Sequence, residues 1–199
     1  RSASYTRGRA DATWAPEPLP RLPAECRFLH FGSIALLQEP AATRIVELIK
    51  AHAGRCVTVF DPNVRPSLVA DMASYRECAR GGVELADVVN RSDEDAALLA
   101  PGRSIDALAA QCLQAGARAV VVTQGGAGAT LWRTGHAPLS VPALQVEVVD
   151  TIGAGDTFTA GLSVALLAAG VAHPAQLGTL ADDAWRTAMR FAATAAALN

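Results

Sequence analysis

No block of like charge runs through this sequence. Its 17 basic and 19 acidic residues are dispersed and leave a formal net charge of −2, so the basic stripe of a nucleic-acid surface or a binder of anionic membranes is missing. A small anionic substrate is not excluded, because one arginine in a cleft suffices to hold it. A long apolar run is also absent. The longest, around Phe158–Val171, is broken by glycines and too short for a bilayer span. The first residues, Arg1 to Arg7, lack the apolar centre of a signal peptide, which leaves the cytoplasm as the expected compartment. Cysteine is scarce and scattered: Cys26, Cys56, Cys78 and Cys112 form no CxxC pair and have no histidine at metal spacing. They read as buried or half-buried thiols in a reducing compartment. No early strand carries GxGxxG, so a dinucleotide-dependent oxidoreductase fits poorly. There is no internal repeat and no low-complexity segment.

What is present describes a folded domain. The 199 residues are 51% hydrophobic and 18% charged, enough for one sizeable core and too few for two. Residues 1–25 are irregular, with a loop built on Pro16, Pro18, Pro20 and Pro23 after a short extended piece. From residue 26 to 199 apolar strand-like runs alternate with helical patterns. Strands are expected at Arg27–Phe31, Cys56–Phe60, Asp87–Val89 and Ala119–Thr123, with a more antiparallel edge at Ala129–Arg133 and Leu139–Val141. Helices are expected from Pro40 to Gly54 and over Ala70–Gly81, Asp93–Leu99, Ile105–Ala115, Gly155–Ala169 and Ala184–Leu198. That alternation predicts an α/β fold, a mainly parallel sheet with helices on both faces. Ligands of such sheets bind beyond the C-terminal strand ends. The polar and glycine-rich runs fall there: Gly32-Ser33, Asp61-Pro62-Asn63, Asn90-Arg91-Ser92, Thr123-Gln124-Gly125 and Asp150–Asp156.

The last of these carries the most chemistry. Gly153-Ala154-Gly155 precedes a helix whose first turn is expected near Asp156. Small residues let backbone approach a ligand closely, and the free N–H groups and dipole of a helix start favour an anion. A carboxylate at the same spot could take a proton from a substrate hydroxyl, and base plus anion hole are the minimum equipment for phosphoryl transfer. The plain alternative is a glycine turn with Asp156 as an ordinary helix cap. His30, His52, His136 and His173 show no spacing of a metal site or triad and read as structural or solvent-facing. Trp14, Trp132 and Trp185 read as packing residues.

The run Asp150-Thr-Ile-Gly-Ala-Gly-Asp-Thr-Phe-Thr-Ala-Gly161 resembles the C-terminal signature of the ribokinase-like (PfkB) carbohydrate kinases. The resemblance implies Asp156 as catalytic base, with Gly153, Ala154 and Gly155 as the anion hole. It also implies a monovalent cation such as K+ held by backbone around Asp150 and Ile152. Val121–Gly128 resembles the family's nucleotide-facing Thr-x-Gly-x-x-Gly, matched by Thr123, Gly125 and Gly128. Asn90–Asp95 resembles the segment that organises Mg2+ and phosphates through water, with Ser92 and Asp95 in those positions; Asp95 replaces the usual Glu and Asn90 a common Lys.

Leu29–Ile34 and Asp61–Pro66 resemble the fructokinase and 2-keto-3-deoxygluconate kinase branch. Arg65 can aim a guanidinium at sugar oxygens or a carboxylate, or else pin its loop by a salt bridge. Tyr5 and Arg7 resemble the sugar-contacting lid strand; on composition alone they are an exposed strand pair. The resemblance therefore implies an ATP- and Mg2+-dependent kinase of a small sugar, fructokinase first and 2-keto-3-deoxygluconate kinase second. A catalytically silent nucleotide-binding fragment is the alternative of another class.

Relatives of the family begin with further βα units, an early glycine pair and most of the lid, and continue into a final segment beside the adenine. This chain is therefore expected to be an excerpt, incomplete at both ends, with lid strands only partly present. An exposed sheet edge of that kind invites pairing, a homodimer being one form. On its own the excerpt is expected to show little kinase activity.

Overall fold

A computed structural model describes residues 12–69, 71–147 and 150–199. Six strands form one sheet: β1 (Phe28–Gly32), β2 (Val57–Asp61), β3 (Val88–Ser92), β4 (Ala119–Thr123), β5 (Ala129–Trp132) and β6 (Leu139–Val141). They lie side by side in chain order, β1 to β4 parallel and β4 to β6 antiparallel. The expected mainly parallel sheet with an antiparallel edge is therefore what the chain forms. Among the described residues, the outer edge of β1 has no strand partner. The helices are α1 (Ala41–His52), α2 (Met72–Glu84), α3 (Asp93–Leu99), α4 (Ile105–Gln114), α5 (Ala154–Ala168) and α6 (Asp182–Ala197).

Side-chain alternation sorts the strands' apolar residues onto two faces. Val57 and Val59 of β2, Val88 of β3, and Ala119 and Val121 of β4 pack against Phe158, Leu162 and Leu166 of α5 and Trp185, Met189 and Ala192 of α6. Phe60, Val89, Val120 and Val122 face the other way, onto Ile49 of α1, Ala79 and Val83 of α2, and Ala109 and Cys112 of α4. Strands β2 and β4 therefore read as mainly apolar runs, because both their faces are covered. Right-handed crossovers that all step in one direction place their helices on one face, which is where α1, α2 and α4 lie. The opposite face is left to α5 and α6, the helix pair with the most extensive mutual contact among the described residues.

Local chemistry starts most of the crossover helices. Asp71 caps α2 by accepting from the N–H groups of Ala73 and Ser74 at 3.0 and 2.9 Å. Ser92 and Ser104 cap α3 and α4 by accepting from Asp95 and Ala107. The fully buried Trp185 stacks under the Arg133 guanidinium at 5.6 Å, and Arg133 in turn donates to Leu180 O and Asp182. The four cysteines are free thiols, buried or half-buried as expected. Among the described residues, no helix is long and apolar enough to cross a membrane.

Two adjacent glycines of α2 give a test of this packing. A Cβ on Gly82 would fall 2.5 Å from the Phe60 ring, in the core, whereas one on Gly81 would meet nothing within 4 Å. Gly81→Ala should stabilise the fold by about 0.5–1 kcal/mol through helix propensity, and Gly82→Ala should destabilise it by about 1–3 kcal/mol through overpacking. Urea denaturation of the two variants checks the opposite signs.

Candidate active site

Strands β1 to β4 end side by side, with Gly32 opposite Asp61 and Ser92 opposite Thr123. The start of α5 is set against these ends. Its cap residue, Gly153, has φ 83°, a left-handed conformation that favours glycine. No side chain caps this helix, unlike α2, α3 and α4. The Thr157 N–H bonds to Gly153 O at 2.8 Å and the Ala154 N–H to Thr151 O at 3.2 Å; those of Gly155 and Asp156 meet no acceptor among the described residues. Two backbone donors at the positive end of a helix dipole are thus left for a ligand. The helix begins at Ala154, one residue before the expected Gly155, and Asp156 lies in its first turn as expected.

Two cavities meet at that turn. One, of about 520 Å³, is lined by Thr123, Gly125, Gly128, Asp150, Ala154 and Gly155, all expected site residues, together with Leu144, Val146 and Leu198. The three apolar side chains are 45%, 40% and 72% exposed, a surface that a flat apolar ligand could cover. Gly128 also has a structural duty: a Cβ there would sit 2.0 Å from Val141 O, so only glycine lets β6 approach. The second cavity, of about 380 Å³, is lined by Asp156, Asp61, Asn63, His30, Gly32 and Ser33 with apolar residues of α1. Ala154 and Gly155 thus face one cavity and Asp156 the other.

A buried polar network ties the strand ends to α5. Asp61, 8% exposed, accepts from the Asn63 N–H at 2.9 Å and from Asn90 Nδ2 at 3.3 Å. Thr159 Oγ1, one helical turn after Asp156, accepts from Asn90 Nδ2 at 2.7 Å. Its own proton can serve Gly155 O at 3.0 Å or Asp61 Oδ2 at 3.4 Å. Burial, with the Asp95 charge adding to it, pushes Asp61 up to about 6 against the lowering effect of its hydrogen bonds. Tyr75 from α2 donates its hydroxyl to Pro62 O and so holds the Asp61-Pro62-Asn63 turn. The His30 ring opens onto the same cavity, yet desolvation by surrounding atoms holds it below its ordinary pKa, opposed by the Asp156 charge.

Not every expected residue joins these cavities. Ser92 and Asp95 line neither one. Ser92 caps α3, and the buried Asp95 accepts from the Val64 N–H at 3.0 Å, with burial pushing its pKa up. Arg65 is exposed; its guanidinium donates to its neighbour's carbonyl, Val64 O, at 3.3 Å. Asp150 accepts from the Ile152 N–H at 2.9 Å, a local turn that orders the loop before Gly153. Among the described residues no three acidic, His or Cys side chains gather as a metal cage. Tyr5 and Arg7 lie outside the described residues.

Several site residues carried no signal of their own in the sequence. His30 was read as structural or solvent-facing, because nothing in its spacing tied it to Asp156. Thr159 could have been found from helical periodicity, three positions after Asp156. Asn199 could not: it donates from Nδ2 to Ile152 O at 2.8 Å and accepts from Thr157 Oγ1 at 2.9 Å, across the start of α5.

The pfkB family carbohydrate kinase model matches residues 2–199. The chain is 36% identical over 184 residues to a fructokinase of Rhizobium leguminosarum bv. trifolii, covering 92% of this chain and 56% of that protein. It is 37% identical over 180 residues to a fructokinase of Klebsiella pneumoniae, covering 89% and 57%. Among solved structures, a fructokinase from Vibrio cholerae bound to fructose, ADP and calcium superposes with a TM-score of 0.83 at 27% identity, over 96% of this chain and 59% of that one. The chain thus spans little more than half the length of these relatives.

Asp61 makes the site's pH dependence testable. Its pKa is raised from 3.8 to about 6 in the fold, so ionising it opposes folding. That penalty is absent below about pH 4, grows as the pH rises through the folded value, and is complete above it. Relative to the native protein, Asp61→Asn should therefore gain stability between about pH 4 and pH 7, by about 3 kcal/mol at most. Urea denaturation across that range checks it, and a pH-independent difference would show that Asp61 does not titrate there.

Proposed function

Because this chain belongs to the pfkB family of carbohydrate kinases, we propose that it forms the catalytic and nucleotide-binding wall of an ATP-dependent sugar kinase, with fructose as substrate. The observation that carries this reading is the first turn of α5. It presents free N–H groups and small residues to one cavity and the Asp156 carboxylate to the other. A phosphoryl group moving between ligands in the two cavities passes over that turn.

ATP fits the larger cavity. The exposed Leu144, Val146 and Leu198 suit an adenine face, and the glycines of the β4–β5 turn and of the α5 start admit phosphates close to backbone. The sugar fits the cavity of Asp61, Asn63 and His30, where Asp156 reaches its hydroxyl. Asp156 takes the hydroxyl proton, the alkoxide oxygen attacks the γ-phosphorus, and ADP leaves with the bond's electrons. Charge gathering on the phosphoryl oxygens is met by the N–H groups of Gly155 and Asp156 and by the helix dipole. Mg2+ would come with the ATP phosphates and keep several of its waters; Asp95, one oxygen of which accepts from the Val64 N–H, would hold it through water. The backbone around Asp150 and Ile152 would hold a monovalent cation. The Rhizobium and Klebsiella relatives are fructokinases, which supports fructose over a keto-acid sugar. Arg65, exposed at the turn after β2, is the group that would favour a carboxylate.

Asp156→Asn in the natural protein should lower kcat by about 10²- to 10⁴-fold while leaving ATP affinity nearly unchanged, read by coupled ADP release and by nucleotide titration. Unchanged turnover would rule out the base. A parallel screen of fructose, ribose, adenosine and 2-keto-3-deoxygluconate should give its strongest signal with fructose; a response to the keto-acid alone would move the substrate to the neighbouring branch.

A further inference from the structure

A third cavity, of about 440 Å³, opens on the face covered by α2 and α4 and shares no lining residue with the other two. Arg91 of β3 lines it and is only 3% exposed. Strand alternation sends Asn90 toward Thr159 on α5 and Arg91 the opposite way, where its Nη2 lies 3.3 Å from Cys112 Sγ on α4. A thiol is a weak acceptor for a guanidinium. Arg91 Nε is buried with no hydrogen-bond partner, and no carboxylate pairs with this arginine among the described residues. Three further arginines line the same cavity: Arg76 and Arg80 from α2 and Arg103 from the loop before α4. Glu84 is its single acidic residue. Arg80 is ion-paired with the exposed Glu77, which leaves Arg76, Arg91 and Arg103 facing the one lining acid, Glu84, around a buried guanidinium that no carboxylate pairs with among the described residues.

Burying a charge without a counter-charge is strongly unfavourable, and like-charged neighbours deepen the cost. Within the cavity the chain offers no carboxylate partner to Arg91. We propose that this cavity binds a small phosphate-bearing anion, with Arg91 as its inner ligand and Arg103, Arg76 and Arg80 at its rim. Guanidinium forks match phosphate oxygens in geometry and charge, and the volume lies in the range of small-molecule sites, roughly 300–1000 Å³. The position also gives occupancy a route to the strand ends. Arg91 directly precedes Ser92, its carbonyl accepts from Thr123 Oγ1 at 3.5 Å, and its charge is one of those that lower Asp95. An anion on Arg91 offsets that charge beside the expected nucleotide segment.

The experiment is thermal unfolding of the natural protein against inorganic phosphate at constant ionic strength, with the larger cavity at the α5 start saturated by a non-hydrolysable ATP analogue. The expected result is a saturable rise of Tm with phosphate. Arg103→Gln, at an exposed position away from the core, should weaken the apparent phosphate affinity by about tenfold, the loss of one charge-assisted contact. Arg91→Met should abolish the phosphate response and raise the phosphate-free Tm, because an unpaired buried charge is gone. A phosphate response of equal strength in the native protein and Arg103→Gln, or no saturable response in the native protein, overturns the proposal. The Arg103 variant decides the matter even if the Arg91 variant fails to fold.

Discussion

The site depends on how α5 begins. A helix start leaves backbone N–H groups unsatisfied, and α2, α3 and α4 answer this with Asp71, Ser92 and Ser104. At α5 the answering side chain is missing, and Gly153 turns the chain through a left-handed conformation instead. The turn is held from outside itself. Asn199 bridges Ile152 O and Thr157, and Thr159 locks the next turn to Asn90 and Asp61 on the strand ends. Because these bonds use side chains and carbonyls, the N–H groups of Gly155 and Asp156 have no acceptor among the described residues. Rigidity and vacancy at the same helix end are what let one turn serve two cavities.

Electrostatics follow from that placement. Asp61 is pushed up mainly by burial, and further by the charges of Asp95 and Asp156. Three carboxylates at neighbouring strand and helix ends thus raise the cost of negative charge there, which an incoming cation or a protonated group offsets. Arg91 presents the opposite case on the far face of β3. The same two-residue alternation that brings Asn90 to the buried polar network drives a guanidinium into the α2/α4 layer, where no carboxylate pairs with it among the described residues. A period of two along one strand therefore separates the polar network of one face from the positive cavity of the other.

Much of the fold was legible in the sequence, for identifiable reasons. Strands β2 and β4 are apolar runs of the length and composition that a two-sided sheet requires, and Leu139–Val141 alternates as an edge strand does. The helix at Asp93–Leu99 was legible to the residue, because Ser92 supplies a cap just before it. The helix expected over Ala70–Gly81 spans Met72–Glu84, with Gly81 and Gly82 accommodated inside it and Gly82 packed on Phe60. In the site, the glycines and Asp156 were legible because backbone approach and helix starts impose residue types locally. His30 and Asn199 were not, because each meets the site across a gap that only folding closes, and Thr159 was legible only as a position one helical turn after Asp156.

By itself, then, the sequence determined the alternation of elements, the glycine-rich helix start and the acid within it, since these follow from turn chemistry and periodicity within short windows. It determined the family by the same run, Asp150–Gly161. Tertiary structure alone decided which of the polar strand ends share a cavity: Asp156 joins Asp61, while Ser92 and Asp95 turn to capping and to Val64. It also decided that Arg91 is buried with no carboxylate paired to it among the described residues. Both outcomes depend on the lateral order of strands and the layer each side chain enters, and distances along the chain carry neither.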